Sequence, residues 1–150
     1  MNSMVSITFS KLRSLMPLVL ESASYLKLLI LFGSRVSGNI HPESDWDFAI
    51  LCEEDLRKQH DTSGWGYYAL WSLIPEVFEL PDNKVDIVDL SACNPWIVHS
   101  IAQEGQLLYE KDLGEFDQFK QHALKTDAEL KAYRDQVRQK VRSTLSKWKS

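Results

Sequence analysis

One run of the sequence is short and almost continuously aliphatic. It extends from Leu26 to Phe32, is interrupted only by Lys27, and ends directly at Gly33. Such a run is too short for a buried helix, whereas a strand covered on both faces shows this kind of uninterrupted apolar character. It therefore predicts a central β-strand, and the rest of the chain has to supply neighbouring strands and covering helices.

Further segments with strand character alternate with segments of helical spacing. The other predicted strands are Asp45–Leu51, Val85–Leu90 and Gln106–Tyr109. The predicted helices are Ser10–Tyr25, Trp65–Leu80, Asn94–Glu104 and the chain from Glu115 onward. We expect the first to be interrupted or restarted at Pro17 and the second to be kinked or split at Pro75. We therefore expect an α/β (α+β) fold, in which a small mixed sheet of about four strands is flanked by helices and followed by a long C-terminal helix.

The length and composition are typical of one ordinary globular domain. The chain has 150 residues, of which 44% are hydrophobic and 25% are charged, and its two cysteines are Cys52 and Cys93. This composition excludes a disordered chain, a disulfide framework and a cysteine-rich metal site. No apolar run approaches the ~18 residues of a membrane span, and the N-terminal residues lack a leader pattern. We expect a cytoplasmic protein.

The charge of the chain is unevenly divided. A net charge of −4 argues against a dedicated nucleic-acid binder, but residues 1–119 carry −10 and residues 120–150 carry +6. The basic segment also has an apolar stripe, which favours a helix that packs on the body or on a partner, with RNA binding as the weaker alternative. The stripe consists of Leu130, Tyr133, Val137, Val141, Leu145 and Trp148.

The residues that carry chemistry lie at the ends of predicted strands. Gly33 and Ser34 follow the first strand, where glycine lets the backbone approach an anion and helix-end amides favour phosphate. Asp45 and Asp47 share one face at the start of the next strand, because side chains alternate along a strand. Paired carboxylates bind Mg²⁺, and two such ions can hold the attacking and leaving oxygens of an in-line displacement. The pattern predicts a metal-dependent nucleotide site.

A third carboxylate would complete one metal site and help to deprotonate an incoming hydroxyl. Asp86 and Asp89 lie in the same predicted strand on opposite faces, and only the strand register decides between them. Arg35 either neutralises a phosphate or is an ordinary surface arginine. His41 lies in the loop between the first two predicted strands and is a further candidate for contact with the nucleotide.

Aromatic residues cluster at helical spacing in segment 65–80. They are Trp65, Tyr67, Tyr68 and Trp71. This spacing favours core packing, and stacking on a nucleotide base is the alternative.

Three motifs resemble the minimal nucleotidyltransferases of the DNA polymerase β superfamily. They are Leu31-Phe32-Gly33-Ser34-Arg35, Ser44-Asp45-Trp46-Asp47 and Val85-Asp86-Ile87-Val88. More closely, the chain is similar to the MntA-type antitoxins that are paired with HEPN-domain ribonuclease toxins. Segments 101–105 and 107–110 also resemble that family, so the resemblance covers most of the chain.

The resemblance implies that AMP is transferred from ATP to a tyrosine of a partner HEPN toxin, which blocks its ribonuclease activity, with Mg²⁺ as cofactor. The implied catalytic and metal-binding residues are Asp45, Asp47 and Asp86, and the implied nucleotide-binding residues are Gly33, Ser34, Arg35 and Ser44. We expect a nucleotidyltransferase domain over residues 1–112 and a helical tail over residues 113–150 that packs on the body or docks a partner.

Two other functions remain open from the sequence. A non-catalytic antitoxin could mask its toxin by binding alone, and a nucleotidyltransferase could modify a small hydroxylated molecule. The catalytic motifs and their strands occupy Leu26 to Leu90, which leaves little chain for a small-molecule pocket. A protein acceptor is therefore the favoured interpretation.

Overall fold

The computed structural model describes residues 9–37, 44–60 and 66–149. Its helices are α1 (Phe9–Ser22), α2 (Ser34–Ser37), α3 (Glu54–His60), α4 (Gly66–Phe78), α5 (Pro95–Glu104), α6 (Glu115–Ala123) and α7 (Asp127–Lys149). Its strands are β1 (Leu26–Phe32), β2 (Trp46–Cys52), β3 (Val85–Asp89) and β4 (Gln106–Glu110), and a short 3-10 turn, Asp82–Lys84, leads into β3. Each predicted strand is present, within one residue at either end.

The four strands form one mixed sheet in the order β3-β2-β1-β4. Strand β1 is antiparallel to both of its neighbours, whereas β2 and β3 are parallel. A parallel pair needs a crossover connection, and α3 and α4 lie in that connection. The predicted fold class is confirmed.

The sheet separates two apolar clusters, because successive side chains of a strand point to opposite faces. Phe48 of β2 belongs to the cluster shared with α1 and α4, and its ring centroid lies 5.5 Å from that of Phe78 in α4. Ala49 belongs to the cluster on the other face, together with Ile101 of α5. Helix α6 covers this second face through Phe116, among others.

Neither proline divides its helix, so the predicted interruption at Pro17 is wrong. Helix α1 continues through Pro17, which lies on the exposed side, where water can satisfy the carbonyl that loses its N–H partner. Helix α4 likewise contains Pro75 and ends three residues later. Glu79 then adopts a left-handed conformation with φ 57°, and the Leu80 N–H donates to the Pro75 carbonyl at 2.9 Å.

The helical tail consists of two helices rather than one. Thr126 and Glu129 form a reciprocal capping box at the start of α7: the Glu129 N–H donates to Thr126 Oγ1 at 3.1 Å, and the Thr126 N–H donates to Glu129 Oε1 at 3.0 Å. Helix α7 contacts α5 through Tyr133 and Trp96, whose ring centroids are 4.8 Å apart. Over the described ranges, none of the helices combines the length and apolar character that a bilayer crossing requires.

Candidate active site

The parallel register of β2 and β3 brings two carboxylates together. Asp47 is the partner of Asp86 in the ladder, so the two side chains point to the same face of adjacent strands. Asp45 comes directly before β2, two residues from Asp47. Asp45 and Asp86 are exposed and Asp47 is half-buried, so the three carboxylates are accessible from one end of the sheet.

The turn after β1 lies against the same carboxylates. Phe32, the last residue of β1, is the ladder partner of Asp47, and Gly33 follows with φ +82°. A Cβ atom at Gly33 would lie 2.1 Å from Asp47 Oδ2, well inside any allowed contact. Glycine is required here both by its backbone conformation and by the carboxylate beside it.

Burial raises the pKa of Asp47 above its ordinary value, and the negative charges of Asp86 and Asp45 raise it further. Each of these causes disfavours the ionised form, so the ionised Asp47 carboxylate lowers the free energy of unfolding of the protein. A divalent cation would reverse this effect by neutralising the charge. Perturbed carboxylates that converge in this way are typical of functional sites.

The donor set fits a magnesium ion. All three candidate ligands are carboxylates, the oxygen donors that a hard cation prefers, and the missing Cβ of Gly33 gives the Asp47 carboxylate the room that it occupies. Among the residues that the structure describes, however, no group of three acidic, histidine or cysteine side chains is arranged closely enough to hold a metal ion.

We expect the Asp47→Asn variant to raise the Tm of the metal-free protein at pH 7. The pKa of Asp47 is higher in the folded chain than in the unfolded chain, so ionisation lowers the free energy of unfolding at neutral pH. The gain should shrink as the pH falls through the raised pKa towards about 4, where the carboxyl group becomes protonated in both states. Thermal unfolding in EDTA between pH 4 and 8 measures this, and a lower Tm for the variant at pH 7 would contradict it.

The structure separates Asp86 from Asp89. The Asp89 carboxylate accepts hydrogen bonds from the N–H and the hydroxyl of Ser91, at 2.9 and 2.7 Å, in a local turn at the far end of β3. Its ladder partner is Ile50 rather than an aspartate. Asp86, and not Asp89, therefore lies beside Asp47.

The remaining sequence candidates lie at different depths. Ser34 begins the single turn of α2 directly after Gly33, whereas Ser44 is buried. Arg35 is half-buried, and its Nη2 donates to the Ser44 carbonyl at 2.7 Å. His41 lies outside the described residues.

The described aromatic residues at the start of α4 lie far along the helix from its contact with β2. Phe78, at the end of α4, packs on Phe48 in β2, and Tyr68 lies ten residues earlier, about 15 Å along the helix axis. Tyr68 is exposed, Trp71 is half-buried, and their ring centroids are 6.2 Å apart. The side chains of Trp65 and Tyr67 lie outside the described part.

Sequence reasoning missed one feature of the site. The guanidinium of Arg35 lies over the ring of Trp46, 4.2 Å from its centroid, and Trp46 stacks in turn on Phe48 with centroids 6.4 Å apart. The alternation of aromatic and acidic residues in β2 is visible in the sequence, but the contact with Arg35 depends on the fold.

The segment that contains the Gly33–Ser34 turn and the three carboxylates also matches a family of known proteins. The family described as polymerase beta nucleotidyltransferases matches residues 18–113. The chain belongs to this family.

The nucleotidyltransferase has relatives of the MntA type. It is 35% identical over 142 residues to the protein adenylyltransferase MntA of Aphanizomenon flos-aquae, a match that covers 94% of this chain and 95% of the relative. It is 28% identical over 92 residues to the protein adenylyltransferase MntA of Shewanella oneidensis, covering 61% of this chain and 60% of the relative. The resemblance to the MntA family is confirmed.

Solved structures share the fold of the nucleotidyltransferase. A crystal structure of a toxin-antitoxin with AMP-PNP matches with a TM-score of 0.61 and 22% identity, covering 86% of this chain and 97% of that chain. The complex of the tri-AMPylated Shewanella oneidensis HEPN toxin with its MNT antitoxin matches with a TM-score of 0.59 and 19% identity, covering 89% of this chain and 98% of that chain.

Proposed function

We propose that this nucleotidyltransferase transfers AMP from ATP to a tyrosine hydroxyl of a cognate HEPN ribonuclease, in the cytoplasm, and thereby acts as its antitoxin. The observation that carries the proposal is the pairing of Asp47 with Asp86, next to Asp45 and against Gly33. The adenylyltransferase name of the 35% identical relative supports the reaction, and the AMPylated toxin in a structural neighbour supports the acceptor.

In this reaction the tyrosine oxygen attacks the α-phosphorus of ATP, the bond from that phosphorus to the bridging oxygen breaks, and pyrophosphate leaves. Asp45, Asp47 and Asp86 would hold two Mg²⁺ ions, which when bound neutralise the charge of the triphosphate and of the attacking oxygen. Asp86 is exposed beside Asp47, and we assign to it the removal of the tyrosine proton.

We further assign the triphosphate to the turn after β1. The missing Cβ of Gly33 leaves room for the Asp47 carboxylate rather than for a phosphate, so we assign the phosphate contacts to the backbone of the turn and to Ser34, which adds an N–H and a hydroxyl at the start of α2. Ser44, which is buried, completes the nucleotide set. The resemblance also implies Arg35 in this set, but its guanidinium contacts Trp46 and the Ser44 carbonyl.

The proposal is tested by incubating the purified protein with its HEPN partner, ATP and MgCl₂ and measuring the intact mass of the partner. We expect the mass to increase by one or more adenylyl groups, with the modified residue a tyrosine. An unmodified partner in a stable complex would favour masking by binding alone. An unmodified and unbound partner would favour a small-molecule acceptor.

We expect Asp86→Asn to reduce adenylyl transfer by about 100-fold or more, because a metal ligand contributes several kcal/mol to transition-state stabilisation and each 1.36 kcal/mol is a factor of ten. Asp89→Asn is the matched control on the same strand and should retain activity within about threefold, since its carboxylate serves the turn at Ser91. Steady-state rates measure both variants. Equal losses in the two would contradict the assignment.

We also propose that the end of α7 docks the partner. The helix is 23 residues long, and within the described chain no other element packs extensively along it. Val141 and Leu145 are each 51% exposed and Trp148 is 83% exposed, at a spacing that places them on one face. Residues 137–149 contain five lysines and arginines and no acidic residue. We call Val141, Leu145 and Trp148, together with these basic residues, the tail patch. The tail patch fits a partner surface that is apolar and edged with acidic groups.

A combined Leu145→Lys and Trp148→Ala variant should bind the toxin at least about 30-fold more weakly, since exposed aromatic anchors often contribute 2 kcal/mol or more to an interface. The control is Leu18→Lys on α1, where the leucine is 50% exposed and lies outside the tail patch. Biolayer interferometry gives both dissociation constants. Unchanged affinity of the double variant would exclude the tail patch as the docking site.

A further inference from the structure

Arg35 makes two contacts that both lead into β2. Its Nη2 donates to the carbonyl of Ser44 at 2.7 Å, and that carbonyl belongs to the peptide group whose nitrogen is that of Asp45. Its guanidinium carbon lies 4.2 Å from the ring centroid of Trp46. Arg35 Nε is buried and has no hydrogen-bond partner among the described residues. The contacts with the Ser44 carbonyl and the Trp46 ring are therefore the ones that position the guanidinium within the described chain.

The contact with Trp46 lies on the face of the sheet opposite the carboxylates. Trp46 and Phe48 belong to the cluster shared with α1 and α4, and Ala49 belongs to the cluster on the other face. Side chains alternate along a strand, so Asp47 points with Ala49 and away from Trp46. The guanidinium over Trp46 is therefore separated from the Asp47 carboxylate by the strand itself.

The backbone of Arg35, in contrast, follows directly on the proposed phosphate turn. Gly33 lies against Asp47 on the carboxylate face, and Val36 packs on the other face, in the apolar cluster that contains Trp46 and Phe48. The segment from Gly33 to Val36 thus passes over the end of the sheet, and Arg35 joins it to the peptide that precedes Asp45. The two linked residues are nine positions apart in the sequence.

We infer that Arg35 is a positioning residue, which acts through Ser44 and Trp46 to hold Asp45 and Asp47 at a fixed distance from the Gly33–Ser34 turn. The inference rests on the proposed adenylyl transfer and assigns Arg35 a role other than phosphate binding. Residues that orient metal ligands typically affect activity by about 10- to 100-fold. A cation stacked on a buried indole is held more rigidly than an exposed arginine.

The kinetic test uses Arg35→Met, Arg35→Lys and Trp46→Phe, with Arg13→Met as the matched control. Arg13 is also stacked on an aromatic ring, 5.3 Å from the centroid of Phe9, but in α1. We expect Arg35→Met to lower kcat about 10- to 100-fold with KM for ATP within about twofold, because the ligand geometry and not substrate binding is changed. Arg35→Lys should restore little of the lost kcat, because the lysine ammonium is not planar and cannot stack on the Trp46 ring while it donates to the Ser44 carbonyl.

A double-mutant cycle separates this role from phosphate binding. If Arg35 acts through Trp46, the variant carrying both Arg35→Met and Trp46→Phe is no worse than the more impaired single variant. If Arg35 binds phosphate, the losses multiply, KM for ATP rises, and Arg35→Lys retains most of the activity. This second set of results would overturn the inference.

Hydrogen exchange without nucleotide provides a readout that does not depend on activity. We expect amides of residues 44–48 to exchange faster in Arg35→Met and in Trp46→Phe, and at the wild-type rate in Arg13→Met. Unchanged exchange in Arg35→Met would overturn the inference even if activity fell. A wild-type protein that transfers no AMP would instead refute the proposed function, and the exchange result would still stand by itself.

Discussion

A Gly33→Ala variant is expected to lose adenylyl transfer by about 100-fold or more while remaining folded. The new Cβ would lie 2.1 Å from Asp47 Oδ2, so either the carboxylate or the turn has to move. A displacement of about 1 Å in a catalytic group can cost about 100-fold in rate. The left-handed backbone at φ +82° adds about 1 to 3 kcal/mol of strain.

Gly114→Ala is the matched control for this effect. Gly114 has φ +90°, similar to that of Gly33, but a Cβ there would have no atom within 4 Å. The control carries the backbone strain without the clash, so it should lose some stability in thermal unfolding and retain transfer within about twofold. If Gly33→Ala keeps wild-type transfer, or if both variants lose activity in proportion to stability, then the contact between the turn and Asp47 has no catalytic role.

The Asp45→Asn and Asp47→Asn variants are expected to reduce transfer by about 1000-fold each. Each substitution removes a charged oxygen ligand, and metal coordination contributes several kcal/mol to the stabilisation of charge in the transition state. Asparagine preserves the shape of the side chain, so the fold should persist. Initial rates of label transfer from radiolabelled ATP to the toxin measure the loss.

Asp112→Asn is a suitable control for these two variants, because Asp112 is exposed in the loop between β4 and α6. Its rate should match that of the wild type. Full transfer by a protein carrying both Asp45→Asn and Asp47→Asn would rule out the carboxylate site.

The strands could be predicted from the sequence because their signal is local. The almost continuous apolar run from Leu26 to Phe32 reflects a strand that is buried on both faces. The alternation of Trp46, Asp47 and Phe48 reflects a strand segment whose two faces differ. A short stretch of sequence is enough to show either pattern. The Gly33–Ser34 turn could be placed for the same reason, since it ends such a run.

Long-range relations could not be predicted in this way. The choice between Asp86 and Asp89 depended on the register of β3 against β2, which no residue near either of them encodes. The contacts of Arg35 with Ser44 and Trp46 depend on how the chain returns after α2.

The break between α6 and α7 is a different case. Its signal is local: Thr126 and Glu129, three residues apart, have the spacing of a capping box and mark the start of α7. The apolar stripe begins only at Leu130 and therefore says nothing about the break.

The most direct test of the site is anomalous diffraction from crystals of this protein grown with MnCl₂ and a non-hydrolysable ATP analogue. We expect anomalous difference peaks for manganese within coordination distance of the carboxylates of Asp45, Asp47 and Asp86. The triphosphate should lie against Gly33 and Ser34. Manganese at another site, or a nucleotide bound away from the Gly33–Ser34 turn, would contradict the assignment of these carboxylates.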